Sequence, residues 1–289
     1  MNLAFWIGTA VLATAPVVVE QEHAENAVYR GLTGQGVALG GETTRFPLPV
    51  LRDGMSADQQ RAALKGVAGS EGKLEDLLRD SVTAPFILKL HDRKTSDGTT
   101  IRGADLWFVV RADLDAIDPA RIARQRSDGK PVEAGNMRFE SRRLDPEKKT
   151  NEREWLIHLT GRLLDRIHVE ATDRAVASKA NESWVIAART DPQFATDAKA
   201  PNRWWPIARV GGRETPGKAE PYAGGASYAK ISRLKLAPGA LLVETHFAFA
   251  EPFAWFDGAP ILRSKIAVVA QDQIRRLRRE LAEKRKEDP

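Results

Sequence analysis

From Tyr228 to Phe249 the chain reads YAKISRLKLAPGALLVETHFAF, two apolar runs on either side of Pro238-Gly239. Both runs contain the β-branched and aromatic residues that favour strands, and Pro-Gly is typical of a turn. The stretch therefore predicts an antiparallel hairpin, which places a sheet at the centre of the fold.

A helix is predicted soon after this hairpin. Asp257-Gly258 indicates a turn, and Pro260 fits the first turn of a helix because its missing N–H is not needed there. Apolar residues then recur every three to five positions, at Leu262, Ile266, Val269, Ile274, Leu277 and Leu281. This spacing predicts a long amphipathic helix whose apolar stripe packs on the sheet, opposite a basic face.

Strands are also predicted upstream of the hairpin. Phe86–His91 and Ile101–Arg111 flank Ser96-Asp97-Gly98, which is a hairpin pattern. Four further candidate strands are Met137–Leu144, Trp155–Thr160, Leu164–Ala171 and Trp184–Arg189. Residues 191–225, which follow them, are dense in Gly and Pro and predict a long loop.

Two helices are predicted before the first strand. Ser56-Ala57-Asp58-Gln59 forms a capping box, in which side chains satisfy the free N–H groups at the start of a helix that runs to about Ala68. A second helix is predicted over Lys73–Arg79. With six or seven strands and helices at both ends, the expected fold is α+β, a largely antiparallel sheet within one domain over residues 56–289.

The N-terminal segment predicts export. Leu3–Val19 reads LAFWIGTAVLATAPVVV without a charge, and Ala13-Thr14-Ala15 fits the small-x-small pattern of signal-peptide cleavage, which places the mature protein in the periplasm or cell envelope. The absence of a basic residue before this run, together with Pro16, leaves two alternatives for residues 1–19. These are an uncleaved anchor, which would hold the chain near a membrane, and a buried element of the domain. Residues 20–55, rich in Gly and Pro, predict a linker.

Composition excludes several kinds of site. The 289 residues include no cysteine, so disulfides, thiolate zinc sites and thiol nucleophiles are excluded. The formal net charge is +5, and Pro260–Pro289 alone carries nine Lys or Arg against five Asp or Glu. An electrostatic partner is therefore expected to meet the C-terminal helix. Predicted export disfavours nucleic acid as that partner, and the interleaved acidic residues favour ion pairs on a solvated face.

Four segments carry a family resemblance: Ile101–Val109 (IRGADLWFV), Trp255–Gly258 (WFDG), Leu262–Lys265 (LRSK) and Gln271–Arg275 (QDQIR). They resemble segments of an uncharacterised family of predicted exported bacterial proteins, over a span from Ser56 to Ala282. The resemblance implies no activity and no site residues. In outline, an antiparallel sheet closed by one long helix is similar to helix-grip, START-like lipid-binding domains, a likeness of architecture alone.

The candidate ligand-binding residues are Arg203, Trp204, Trp205 and Tyr222. Tandem tryptophans in a Gly/Pro-rich loop offer a large apolar surface with an N–H group, suited to stacking on a sugar or closing over a ligand. The alternative is that they plug one end of the core, as buried tryptophans usually do.

Histidines and carboxylates share strand faces in two places. His168-Val169-Glu170 puts an imidazole and a carboxylate on one face, with His158 a candidate neighbour, and Glu244 with His246 repeats the spacing. Two His and one carboxylate suit zinc or iron. No HExxH or HxH pattern supports such a site, so neither a metal nor another cofactor is predicted.

No catalytic residue is predicted either. Ser227 lacks the G-x-S-x-G elbow of hydrolases. Paired carboxylates such as Asp105 with Glu170, or Glu244 with Glu251, are candidates for glycosidase chemistry only at a defined separation.

The sequence leaves three functional hypotheses. The first is an exported, non-enzymatic protein that binds a cell-envelope component or a small apolar ligand between the sheet and its closing helix. The second is a hydrolase whose site has no recognisable motif, and the third is a structural or assembly protein with an exposed apolar patch. An apolar cleft under the helix would favour binding, whereas His and carboxylates gathered in one cleft with perturbed pKa values would favour an enzyme.

Overall fold

The computed structural model describes residues 21–120, 129, 131–134, 136–144 and 153–287. The segment predicted to direct export, 1–19, lies outside these residues. The helices are α1 (Ala27–Arg30), α2 (Ala57–Ala68), α3 (Glu71–Leu78), α4 (Phe253–Phe256) and α5 (Ile261–Glu287). The strands are β1 (Val37–Leu39), β2 (Glu42–Thr44), β3 (Ile87–Lys94), β4 (Thr100–Arg111), β5 (Val132–Ala134), β6 (Met137–Arg143), β7 (Glu154–Leu163), β8 (Ile167–Lys179), β9 (Ser183–Thr190), β10 (Arg203–Val210), β11 (Arg213–Pro216), β12 (Glu220–Pro221), β13 (Gly225–Arg233) and β14 (Ala240–Glu251).

The α+β class and the antiparallel sheet are confirmed. The sheet runs β3-β4-β14-β13-β9-β8-β7-β6-β5, with β10 pairing the first half of β8 and carrying β11 and β12. Within the described residues the sheet has twelve strands, so the expected number of six or seven is wrong. The hairpin that fixes its centre pairs β13 with β14 from Gly225↔Phe249 to Arg233↔Leu241. Gly239 in the turn has φ of 75°, a left-handed conformation that glycine adopts without strain.

The interval 191–225, predicted as a loop, contains β10, β11 and β12. Tertiary contacts override its composition there: Trp204 is buried in the core, and Asn202 Oδ1 accepts the Thr172 N–H at 2.8 Å. Another difference concerns Leu164, predicted as the start of a strand. It lies in the turn between β7 and β8 with φ of 52°.

The predicted helix start at Ser56 is confirmed. Ser56 Oγ accepts from Gln59 N–H, and the Gln59 side chain accepts from Ser56 N–H, at 3.2 and 2.8 Å. These bonds satisfy two backbone groups at the first turn of α2.

The long helix α5 covers one face of the sheet, here called the helix face. Ile274 packs with Phe108, Leu241 and other residues of that face, while Leu262 packs with Trp204 and Trp255. Among the described residues, no helix combines the length and the apolar composition needed to cross a bilayer.

The opposite face of the sheet, here called the strap face, is covered by residues 21–55, the strap, together with α2 and α3. The strap includes most of the segment predicted as a linker. Tyr29 and Leu32 from the strap are buried against Tyr228 of β13, while Leu64 of α2 belongs to a neighbouring cluster with Trp107 of β4. The sheet therefore lies between two layers, α5 on one side and the strap with α2 and α3 on the other.

Candidate ligand site between the sheet and the C-terminal helix

Helix α5 is attached to the sheet by two apolar clusters. Toward the N-terminus, Leu262 is 5% exposed in a cluster with Trp255 and Phe256. At the midpoint of the helix, Ile274 is 3% exposed in a second cluster with Phe108. Between these clusters Ile266 and Val269 are only half-buried and belong to neither cluster. The part of the helix around Ile266 and Val269, within its first third, therefore covers the sheet least.

The centre of the helix face is correspondingly accessible. Along β13, Ser227 and Ala229 on the helix face are half-buried, whereas Tyr228 and Lys230 on the strap face are buried. Along β14, Thr245 and Phe247 are half-buried while the alternating residues Glu244, His246 and Ala248 are buried. Side chains alternate between the two faces of a strand. The alternating burial therefore shows that the strap face is buried here and that the helix face is partly exposed to solvent. The region between the two attachments of α5, floored by Ser227, Ala229, Thr245 and Phe247, is here called the cleft.

Asp173 of β8 places a carboxyl group on the helix face. Asp173 Oδ1 accepts from Thr190 Oγ1 at 2.9 Å, and Thr190 Oγ1 in turn accepts from the Gly225 N–H at 3.0 Å. Burial raises the pKa of Asp173 to about 6, opposed only by the hydrogen bond from Thr190. Burial, with a smaller contribution from the charge of Asp173, also raises the pKa of Tyr222. The helix face thus combines a floor of apolar and hydroxyl side chains with a carboxyl group whose pKa is about 6.

The four predicted ligand-binding residues do not come together. Trp204 is 6% exposed on the helix face, with its ring 6.0 Å from that of Trp255, and the Tyr222 ring stacks on the same indole at 5.7 Å. Arg203 and Trp205 point to the opposite face, because neighbouring residues of a strand alternate. On that face they contact His168 and Glu170.

The opposite side of β10 forms its own cluster. Trp205 stacks on His168 with ring centroids 4.1 Å apart, and the Arg203 guanidinium lies 5.2 Å from the Trp205 ring. Arg203 also pairs with Glu170 at 2.7 Å. Burial is the largest influence on both His158 and His168 and lowers the pKa of each. Among the described residues no group of His, Asp and Glu has the geometry to hold a metal ion.

A buried ionisable network lies on the strap face, centred on His246. Its Nδ1 is 2.6 Å from Asp105 Oδ1, and its Nε2 is 2.9 Å from Glu244 Oε1. Burial alone lowers the pKa of His246, but the hydrogen bonds with the two carboxylates outweigh it and raise the pKa above its usual value. Glu244 also accepts the Val50 N–H of the strap at 2.9 Å. The Glu-x-His spacing was visible in the sequence, but the third partner, Asp105, comes from β4.

A second histidine cluster joins the strap to the sheet. His23 Nδ1 and Nε2 lie 2.8 and 3.0 Å from the hydroxyls of Ser178 and Ser183, and Ser183 Oγ donates to Asp53 at 2.7 Å. Although Ser, His and Asp are all present, His23, Ser178 and Ser183 are fully buried, so a substrate cannot reach them. The cluster is a structural anchor for the strap. No signal in the sequence related His23 to residues more than 150 positions away.

Neither protein-family models nor curated proteins give a match to the chain. Among solved structures the chain is similar to the human StarD13 (DLC2) lipid transfer and protein localization domain, with 8% sequence identity and a TM-score of 0.38. The match covers 67% of this chain and 89% of that domain. A likeness at this level says nothing about function, which is therefore argued from the site alone.

Proposed function

We propose that the protein binds a small, largely apolar ligand with a polar end in the cleft between the helix face and α5. The observation that carries the proposal is the half-buried centre of the helix face, between two sealed attachments of the helix. Small-molecule sites combine apolar side chains with a few polar groups, and this floor places Ala229 and Phe247 beside Ser227 and Thr245.

The polar groups of the helix face suit one end of such a ligand. Asp173 in its protonated form donates a hydrogen bond, and as a carboxylate it accepts one. With its pKa raised to about 6, it takes either role near neutral pH. Ser227 and Thr245 add hydroxyl groups to the floor.

The cellular setting is part of the same proposal. The apolar Leu3–Val19 and Ala13-Thr14-Ala15 support an exported chain of bacterial origin, whose ligand would come from the cell envelope. Cell fractionation and the intact mass of the recovered protein check this part. A chain that retains Met1 and is found in the cytosol would contradict export.

Filling the cleft tests ligand binding directly. Ala229→Trp adds a large ring to the half-buried floor, and we expect it to weaken binding of a dansyl-labelled undecanoic acid by roughly tenfold or more, the range of one lost apolar contact of this size. Fluorescence titration measures the affinity.

The matched control adds the same ring on the outer face of α5. Val268 is 52% exposed, so Val268→Trp leaves the floor unchanged and should bind the probe like the unaltered protein. Circular dichroism and thermal unfolding establish that both variants fold. Equal affinity of Ala229→Trp and Val268→Trp would contradict the proposed site.

A further inference from the structure

Arg278 of α5 is a buried cation bonded to backbone carbonyl groups. It is 7% exposed, and its Nε donates to Val109 O at 2.9 Å. Its Nη1 donates to Ala84 O and, at 3.5 Å, to Val82 O, while its Nη2 donates to Pro85 O at 3.3 Å. These bonds hold the helix against β4 and against the segment that leads into β3.

None of these partners carries a negative charge. No carboxylate lies within ion-pair distance of Arg278 among the described residues, and burial alone lowers the pKa of its guanidinium. Arg102 of β4, the other buried arginine among the described residues, has charged partners. It donates to Glu251 at 2.7 and 2.9 Å and to Asp92 at 2.7 Å. A buried charge is costly unless it is paired, and among the buried cations of the described residues Arg278 has no ion-pair partner.

A cavity of about 210 Å³ adjoins this guanidinium. Its lining is shared by the segment before β3 and by α5, and consists of Thr83, Ala84, Pro85, Phe86, Gln271, Ile274, Arg275 and Arg278. The only charged side chains in this lining are Arg275 and Arg278. A single water needs roughly 10–15 Å³ of such space, so the cavity accommodates a small anion with part of its hydration shell.

Arg275 is positioned at this cavity by its neighbour one turn earlier. With the Gln271 amide oriented to satisfy its hydrogen bonds, its oxygen accepts from both Nη atoms of Arg275, at 2.7 and 2.8 Å. Arg275 is exposed and forms no ion pair with a described residue. One buried and one exposed guanidinium therefore border the same cavity.

From this arrangement we propose that the cavity binds a small oxyanion, a phosphate or a carboxylate group, held by Arg275 and Arg278. Each Nη of Arg275 has a second N–H beside the one bonded to Gln271, and Nη2 of Arg278 has a second N–H beside the one bonded to Pro85. Such N–H groups form charge-assisted hydrogen bonds with the oxygen atoms of anions. The anion supplies the negative charge that Arg278 lacks. The site is separate from the cleft and stands independently of the proposed function.

Thermal unfolding and calorimetric titration with inorganic phosphate, at ionic strength held constant with sodium chloride, test the proposal. We expect phosphate to raise the unfolding temperature in a saturable manner. Arg275→Gln should weaken phosphate binding at least fivefold while leaving the unfolding temperature in chloride unchanged, because the side chain is exposed. The matched control is Arg279→Gln, which removes the same charge from an exposed position outside the lining and should retain the affinity.

The outcomes separate a site from a general attraction. Equal losses in Arg275→Gln and Arg279→Gln, or no binding of phosphate by the unaltered protein, would overturn the proposal. Vesicles of phosphatidylcholine with phosphatidylglycerol identify the source of the anion. Sedimentation with these vesicles that depends on Arg275 and not on Arg279 indicates a lipid headgroup, whereas phosphate binding without such sedimentation indicates a free anion.

Discussion

At the scale of single residues, burial and hydrogen-bond partners together shift the pKa values of ionisable groups. Asp173 and His246 are both packed in the sheet, but their partners differ. Asp173 receives one neutral hydrogen bond, from Thr190, and its pKa rises to about 6 because burial disfavours the charged form. His246 lies between two carboxylates, which hold its proton despite burial.

The ionised form of Asp173 should lower the free energy of unfolding at neutral and alkaline pH. Its pKa rises from 3.8 in the unfolded chain to about 6 in the fold, so its contribution is favourable at low pH and is lost as the pH rises from about 4 to about 6. The two-unit difference corresponds to about 3 kcal/mol. Asp173→Asn should therefore raise the free energy of unfolding at pH 8 and flatten its pH dependence, as measured by urea unfolding. The control is Asp58→Asn, at an exposed position, which should leave the pH dependence of the free energy of unfolding unchanged.

The tandem tryptophans should differ sharply in their effect on stability. Trp204 is buried in the cluster with Trp255, so Trp204→Ala should cost about 3–5 kcal/mol in unfolding free energy. Trp205 is half-buried and stacks on His168, so Trp205→Ala should cost about 1 kcal/mol. Urea unfolding of the two variants measures this difference. Similar costs would mean that the faces of β10 are assigned wrongly.

At the scale of elements, the strap is fastened to the sheet by polar groups as well as apolar ones. Tyr228 OH donates to Pro47 O at 2.7 Å, and Lys230 Nζ donates to Leu51 O at 3.0 Å. Glu244 accepts the Val50 N–H, and Ser183 donates to Asp53. The strap therefore depends on the protonation states of the groups beneath it.

Acid should loosen the strap through His23. Burial first, and then the charge of Lys230, lower the pKa of His23 from 6.5 to about 4, although nearby Asp53, Glu22 and Glu25 oppose the shift. Neutral His23 thus contributes stability above pH 6.5 that is lost as the pH falls toward about 4, up to about 3 kcal/mol.

Hydrogen exchange of the strap amides measures this effect. Between about pH 7 and pH 5, protection within α1 should fall more than protection within β13, after correction for intrinsic exchange. In His23→Gln the pH-dependent loss of protection within α1 should be smaller. The control His91→Gln, at an exposed position, should leave that loss unchanged. A strap equally protected at both pH values would refute this role for His23.

At the scale of the whole molecule, the sequence predicted what depends on local pattern. The capping box at Ser56, the hairpin β13–β14 and helix α5 each rest on residues close together in the chain, and the structure contains all three. The short strands β10 to β12 were missed because their order comes from contacts with β8 and with the core, against the preference of a Gly- and Pro-rich composition.

The candidate site was predictable only in outline. An amphipathic helix over a sheet pointed to a cleft, but Asp173 gave no sign in the sequence, because its raised pKa arises from burial in three dimensions. The same holds for the His246 network, in which Asp105 and Glu244 come from strands separated by more than one hundred residues. The sequence predicted a solvated basic face on the C-terminal helix, whereas Arg278 of that helix is buried because α5 packs against β4 and the segment before β3.

The long span of the strap contacts also bears on the order of folding. His23 meets Ser178 across 155 positions, and Lys230 meets Glu22 across 208. Contacts between such distant positions close large loops, and chains dominated by them fold slowly. During synthesis the strap leaves the ribosome long before β13 and β14 exist, so part of the surface on which it docks is missing until most of the chain has been made. The earliest-made of the described residues therefore complete their native contacts only near the end of synthesis.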